Sequence, residues 1–177
     1  ISIDGRPFIE HQMDYWIGQG VDRFVVSVGY KKEVIMDHFG TNYRSTPLTY
    51  AIEDEPLGTG GGLLLAAQGL REPFLVLNGD TFFEVDLAKL LKFHADHSAD
   101  WTFSLFRTSE VGRFMGIELK SNGEIYSLKS GSEEKDRFAN GGVYLVNPSI
   151  LVNKAFVPGN KLSLEDDVLP ALVVKGH

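Results

Sequence analysis

Apolar residues at Phe8, Ile9, Met13, Trp16 and Ile17 recur at helical spacing, so residues 7–17 predict a helix, with Asp4 as a nearby N-cap candidate and Gly18 and Gly20 as stops. The β-branched run Phe24-Val25-Val26-Ser27-Val28 predicts a strand, followed by a short helix over residues 31–39 that Gly40 closes. Residues 48–52 read as the next strand, residues 63–70 as a helix after a glycine-rich turn, and Phe74-Leu75-Val76-Leu77 as a strand. That last run is apolar without alternation, the signature of a strand buried on both faces in the middle of a parallel sheet. An amphipathic helix over residues 86–95 carries Leu87, Leu90, Leu91 and Phe93.

Strands and helices joined by short links argue for right-handed βαβ crossovers. Beyond residue 100 the pattern changes. Residues 101–107, 115–119, 125–128 and 143–146 are strand-like, and Ser121-Asn122-Gly123 marks a hairpin between two of them. A brief helix over residues 148–152 and a second one starting at Ser163 end the pattern, with Asp166 completing a capping-box-like start and Pro170 kinking or shortening the second. The fold class is therefore α/β: a Rossmann-like, mainly parallel sheet flanked by helices, with a small antiparallel, hairpin-bearing region.

Composition narrows the chemistry. The 177 residues suit one domain, and 24 acidic against 17 basic side chains give a formal charge of −7 with no basic stripe, which speaks against a nucleic-acid partner. The absence of cysteine removes disulfide and thiolate chemistry and suits a cytoplasmic protein. Apolar runs fall well short of the roughly 20 residues that span a bilayer, so no membrane partner is expected.

Two stretches carry candidate chemistry. Asn78-Gly79-Asp80 ends the buried run, and in open α/β sheets ligands bind at the carboxyl ends of strands, where one carboxylate can hold Mg²⁺ against a phosphate. The same three residues also make an ordinary turn. Upstream, Glu53-Asp54-Glu55-Pro56-Leu57-Gly58-Thr59-Gly60-Gly61-Gly62 joins a strand to a helix, so that backbone can approach a flat or anionic ligand and the helix N-terminus can offer N–H groups. Its spacing matches neither a dinucleotide fingerprint nor a P-loop. A carboxylate there serves best as a double acceptor, and guanine offers adjacent N–H and NH₂ donors. Tight strand-to-helix packing accounts for the glycines equally well.

Glu53-x-Glu55-Pro56-Leu57-Gly58-Thr59-Gly60-Gly61, Leu77-Asn78-Gly79-Asp80 and Asn140-Gly141-Gly142-Val143-Tyr144, preceded by Ile3-Asp4-Gly5-Arg6-Pro7-Phe8-Ile9, together resemble the sugar-phosphate nucleotidyltransferases, over nearly the whole chain and in order. Within them the chain is most similar to the D-glycero-α-D-manno-heptose 1-phosphate guanylyltransferases, with the mannose-1-phosphate guanylyltransferases next. The resemblance implies a nucleotide-diphospho-sugar transferase fold and a reaction joining a nucleoside triphosphate to a sugar 1-phosphate with release of pyrophosphate, as for lipopolysaccharide or capsule precursors. It implies Asp80 as the catalytic ligand of Mg²⁺, Glu53, Leu57, Gly58 and Thr59 as the base-reading stretch, and Gly116, Asn140 and Gly141 in the sugar pocket. Glu165 joins the sugar group, although the first turn of a helix is an equally good reason for a carboxylate. A homo-oligomer is compatible with this family.

The departures are specific. The family's glycine-rich triphosphate loop precedes the Ile-x-Gly-Arg/Lys-Pro segment with which this sequence opens, and its Asp-x-Gly metal motif would follow His177, so both are expected to lie outside these residues. A frequent Glu-Lys-Pro sugar motif is replaced by Ser130-Gly131-Ser132 after Lys129. Two other classes compete: a non-catalytic module that binds sugar nucleotides, and uridylyl- or thymidylyltransferases of the same scaffold. A glycosyltransferase would want a second Asp two residues from the first, and positions 78 and 82 hold Asn and Phe. His94 and His97 read as solvated or capping groups, and Phe82-Phe83 as core with one ring walling the sugar pocket.

Overall fold

The computed structural model describes residues 2–110, 114–129, 136–152 and 156–174, which fall into two compact units: one of residues 1–69 with 154–164, the other of residues 70–153 with 165–177. Ser130-Gly131-Ser132 lies outside the described residues.

The first unit opens with β1 (Ser2–Ile3) and β2 (Arg6–Pro7), an antiparallel pair whose turn holds Asp4 at φ +50°. Asp4 is therefore a turn residue and not the helix cap: α1 (Phe8–Gly18) starts from Pro7 with no side-chain cap. β3 (Phe24–Val28) is followed by α2 (Lys32–Phe39), β4 (Asn42–Tyr43) and β5 (Thr46–Ile52). β3 and β5 run parallel in register from Phe24↔Leu48 to Val28↔Ile52. Met13, Phe39 and Leu48 form the core between these helices and the strands. Arg6 ties α1 down from outside, with ion pairs to Glu10 at 2.9 Å and Asp14 at 2.7 Å. His38 adds a bond to Glu10 at 2.8 Å and Arg44 one to Asp14 at 2.8 Å.

α3 spans Gly58–Ala66 and so begins five residues before the expected start. Glycine is a poor helix former, yet here its backbone is held from outside. The N–H groups of Gly60 and Gly61 both donate to the carbonyl of Leu162, at 2.9 and 3.2 Å, and Leu162 N–H donates back to Leu57. Leu164 N–H also donates to Thr59 Oγ1 at 2.9 Å.

The second unit contains β6 (Phe74–Leu77), α4 (Leu87–Asp96), β7 (Trp101–Thr108), β8 (Gly116–Leu119), β9 (Ile125–Lys129) and β10 (Arg137–Val146). Asp86 caps α4 by accepting from Lys89 N–H at 3.0 Å. A 3₁₀ turn at Pro148–Leu151 precedes a π-helical turn at Leu164–Val168 that leads into α5 (Leu169–Val174). Pro170 lacks the N–H an α-helix would use there, and the widened turn before it absorbs that loss. The innermost residues are Tyr144, Leu145, Val146, Val168 and Leu169, each at most 1% exposed.

The α/β class stands, but the sheet pairing differs from expectation. Among the described residues the parallel pairing is confined to β3 and β5, and β6 pairs antiparallel with β10 as the terminal strand of its sheet. Its four residues are all half-buried and not enclosed on both faces. An unbroken apolar run reports burial, and it does not report the direction of the neighbouring strand.

Candidate active site

β10 organises the second unit's site. Arg137–Asn140 and Tyr144–Val146 pair with β7 along one edge. Along the other, residues Val143–Val146 pair with β6 while Phe138 and Ala139 pair with β8. The register shifts between Asn140 and Tyr144, so Gly141-Gly142-Val143 bulge away from β7, beside the point where β8 gives way to β6 on the other edge. The loop after β6 leaves the sheet there, with Asn78 N–H donating to the Gly142 carbonyl at 3.0 Å.

Both glycines are required by this contact. Gly142 has φ +74°, and a Cβ on it would come within 2.7 Å of the Asn78 amide. A Cβ on Gly141 would stand 2.6 Å from the Phe83 ring. Asn140 spans the bulge from its edge: its Oδ1 accepts from Gly142 N–H at 3.0 Å and its Nδ2 donates to the Tyr144 hydroxyl at 2.5 Å. Burial pushes the Tyr144 phenol up to about 12, with the Asn140 bond opposing and the nearby Glu165 charge assisting. That hydroxyl is therefore neutral at physiological pH.

The expected sugar-site residues meet in this unit. Gly116 is level with Ala139, Asn140 is the last paired residue before the bulge and Gly141 its first, and Glu165 acts on Tyr144. Phe83 packs under Gly141 as a wall, whereas Phe82 is 43% exposed and is not core. Asp80 is exposed two residues past Asn78, and its Oδ1 accepts from the Thr81 hydroxyl at 3.2 Å. No group of three or more His, Cys, Asp or Glu among the described residues could hold a metal. Asp80 therefore offers one exposed carboxylate, the single protein ligand that a Mg²⁺ arriving with phosphates would take. His94 corrects another expectation: it is buried at 7% exposure and bonds Thr102 at 2.8 Å, a core residue. His97 caps the end of α4 with its ring against Phe93.

In the first unit Glu53, Leu57, Gly58 and Thr59 also come together, at the carboxyl end of β5. Glu53 Oε1 accepts from the Ser27 hydroxyl at 2.8 Å and Oε2 from Leu57 N–H at 2.9 Å. The glycines do not hold a gap open for a ligand. Gly60, Gly61 and Gly62 are buried, and a Cβ on Gly61 would meet the Asn160 carbonyl at 2.6 Å. The N–H groups that were expected to face a ligand are bonded to Leu162. Sequence reasoning missed Ser27, Leu162 and Tyr144; only Ser27, a polar residue inside an apolar strand, left a visible signal.

A mixed α/β chain with a carboxylate-bearing loop set against a split, glycine-bulged strand is laid out as a nucleotide-diphospho-sugar transferase. The family model for nucleotidyl transferases matches residues 1–177, and the chain belongs to that family. It is a nucleotidyltransferase. A D-glycero-alpha-D-manno-heptose 1-phosphate guanylyltransferase of Aneurinibacillus thermoaerophilus is 35% identical over 168 residues, covering 94% of this chain and 72% of the relative. A mannose-1-phosphate guanyltransferase of Schizosaccharomyces pombe is 32% identical over 183 residues, covering 98% of this chain and 49% of the relative. The crystal structure of HddC from Yersinia pseudotuberculosis superposes with a TM-score of 0.83 at 30% identity, over 96% of this chain and 74% of that one. The same protein complexed with GMP-PN gives 0.81 at 31% identity, with the same coverage of both chains.

Proposed function

We propose that the chain transfers a guanylyl group from GTP to a sugar 1-phosphate of the heptose or mannose type, forming an NDP-sugar. The sugar-phosphate oxygen attacks the α-phosphorus, and the bond from that phosphorus to the departing pyrophosphate breaks. The observation that carries this reading is the match to a heptose 1-phosphate guanylyltransferase over 94% of the chain. Glu53 reads the base as a double acceptor, with Leu57, Gly58 and Thr59 beside it. Asn140, Gly141 and Gly116 line the sugar side, with Glu165 behind Tyr144.

Mg²⁺ held by Asp80 would offset charge on the phosphate oxygens. The chain's own contribution is orientation: the Asn78–Gly142 bond fixes the root of the Asp80 loop on β10, and Thr81 restrains the carboxylate. A nucleotide-consuming reaction and the lack of cysteine support a cytoplasmic setting. Among the described residues no helix is long and apolar enough to cross a membrane.

The test is a thermal-shift panel of GTP, UTP, dTTP, CTP and ATP with Mg²⁺, followed by pyrophosphate release with heptose and mannose 1-phosphates. GTP should give the largest shift, and Asp80→Asn should lose about a hundredfold or more in turnover while its melting temperature stays unchanged. Wild-type-like turnover in Asp80→Asn rejects the metal role. A preference for UTP or dTTP moves the chain to the sister activities, and binding without turnover moves it to the regulatory class.

A further inference from the structure

Ser27 interrupts an otherwise apolar β3 with a side chain that adds little to strand stability. It stands in register with Ala51 of β5, two residues before Glu53, and is exposed at that end. Its hydroxyl donates to Glu53 Oε1 at 2.8 Å while Leu57 N–H donates to Oε2 at 2.9 Å. The Leu57 N–H, just ahead of α3, engages only one of the two carboxylate oxygens, and Ser27 engages the other.

The last torsion of a glutamate side chain is soft, and one hydrogen bond pins one oxygen without fixing the carboxylate plane. Two bonds on different oxygens fix it. Gly62 supports the same placement, because a Cβ there would lie 2.7 Å from Oε1 and 3.1 Å from Ser27 Oγ. An ionised carboxylate has about four acceptor sites, so one remains on each oxygen after these bonds. Two acceptors on one rigid plane suit two parallel N–H donors, and a ligand with a single donor uses half of them.

We propose that Ser27 is a specificity-positioning residue, which holds the plane of Glu53 so that its two remaining acceptor sites meet the ring N–H and exocyclic amine of guanine. This rests on the guanylyl reading above. Ser27 touches the base only through Glu53.

The experiment is calorimetric titration of the full chain with GTP and with inosine triphosphate, which keeps the ring N–H and lacks the amine, each with Mg²⁺. Wild type should favour GTP over the inosine nucleotide. Ser27→Ala should weaken GTP binding by about tenfold or more, the scale of a hydrogen bond to a charged group, and weaken the inosine nucleotide less, so that the preference collapses. Ser27→Thr keeps the hydroxyl and should restore the preference. Gly62→Ala, whose methyl crowds the far end of Glu53 and the Ser27 hydroxyl, should lose it with the fold intact. A GTP preference that survives Ser27→Ala overturns the inference and leaves the guanylyl reading in place, as does an equal loss for both nucleotides. A wild type that binds GTP no better than UTP, dTTP, CTP and ATP overturns both.

Discussion

The two glycine clusters look alike in sequence and work differently. A Cβ on Gly58, Gly61 or Gly62 would meet backbone or close side-chain atoms, and the closest partners of Gly58 and Gly61 are the carbonyl oxygens of Leu162 and Asn160. At Gly141 and Gly142 the closest partners are the Phe83 ring and the Asn78 amide, side chains of the loop that bears Asp80. A carbonyl in a hydrogen-bonded segment cannot retreat, whereas a ring or an amide can turn. Gly58 and Gly61 are therefore set against backbone, and Gly141 and Gly142 first against side chains.

Gly58→Ala tests the first half of that contrast and should have the largest effect. The added methyl meets Leu162 O at 2.6 Å in a residue at φ +71°. Steric strain from both sources should destabilise the protein by about 3 kcal/mol in a denaturant titration. A loss below about 1 kcal/mol would mean that the Leu162 segment yields.

Gly141→Ala should cost less, about 1–2 kcal/mol, because Phe83 can turn aside. Pairing it with Phe83→Leu should recover part of that stability, and a double-mutant cycle reads the coupling. Strict additivity would show that the Ser104 carbonyl, 2.9 Å from the same methyl, is the real obstacle.

The mildest test is pH. In the first unit Glu10 is held below its ordinary 4.5, first by the His38 bond and then by Arg6. A carboxylate depressed on folding stabilises above its unfolded pKa, so this contribution is lost as pH falls below about 4.5. In the second unit Tyr144 is raised from 10 to about 12, chiefly by burial. Its neutral form is favoured by folding, so stability is intact below pH 10 and falls as pH rises from 10 towards 12. Tyr144→Phe should make the alkaline limb less steep and Glu10→Gln the acid one, each leaving the other unchanged in a melting-temperature profile.

Local chemistry was legible in the sequence wherever a segment decided its own conformation. The Phe24–Val28 and Phe74–Leu77 strands and the Gly40 stop stand where their patterns place them. What escaped depends on distant partners. Residues 58–62 read as a turn because glycine disfavours helix, and only the Leu162 carbonyl reverses that. β10 was expected from residue 143 and starts at Arg137, since the Gly141-Gly142 bulge breaks the alternation that marks a strand. The site residues were grouped by resemblance, and their grouping in space follows from β10 having β6 and β8 on one edge. Ser27 carried a signal that single-strand reading left unused: its partner lies across the parallel pair.

The bond from Leu164 N–H to Thr59 Oγ1 joins residues 105 apart. With the Leu162 bonds beside it, this has a consequence in time. A chain emerging from the ribosome completes β3, β5 and the stretch that becomes α3 long before the residues that hold the N-terminal end of α3 have been made. Closing so long a loop must precede its reward, which slows folding. The glycine-rich helix start should be among the last regions to acquire hydrogen-exchange protection, after residues 24–28 and 46–52 have gained theirs.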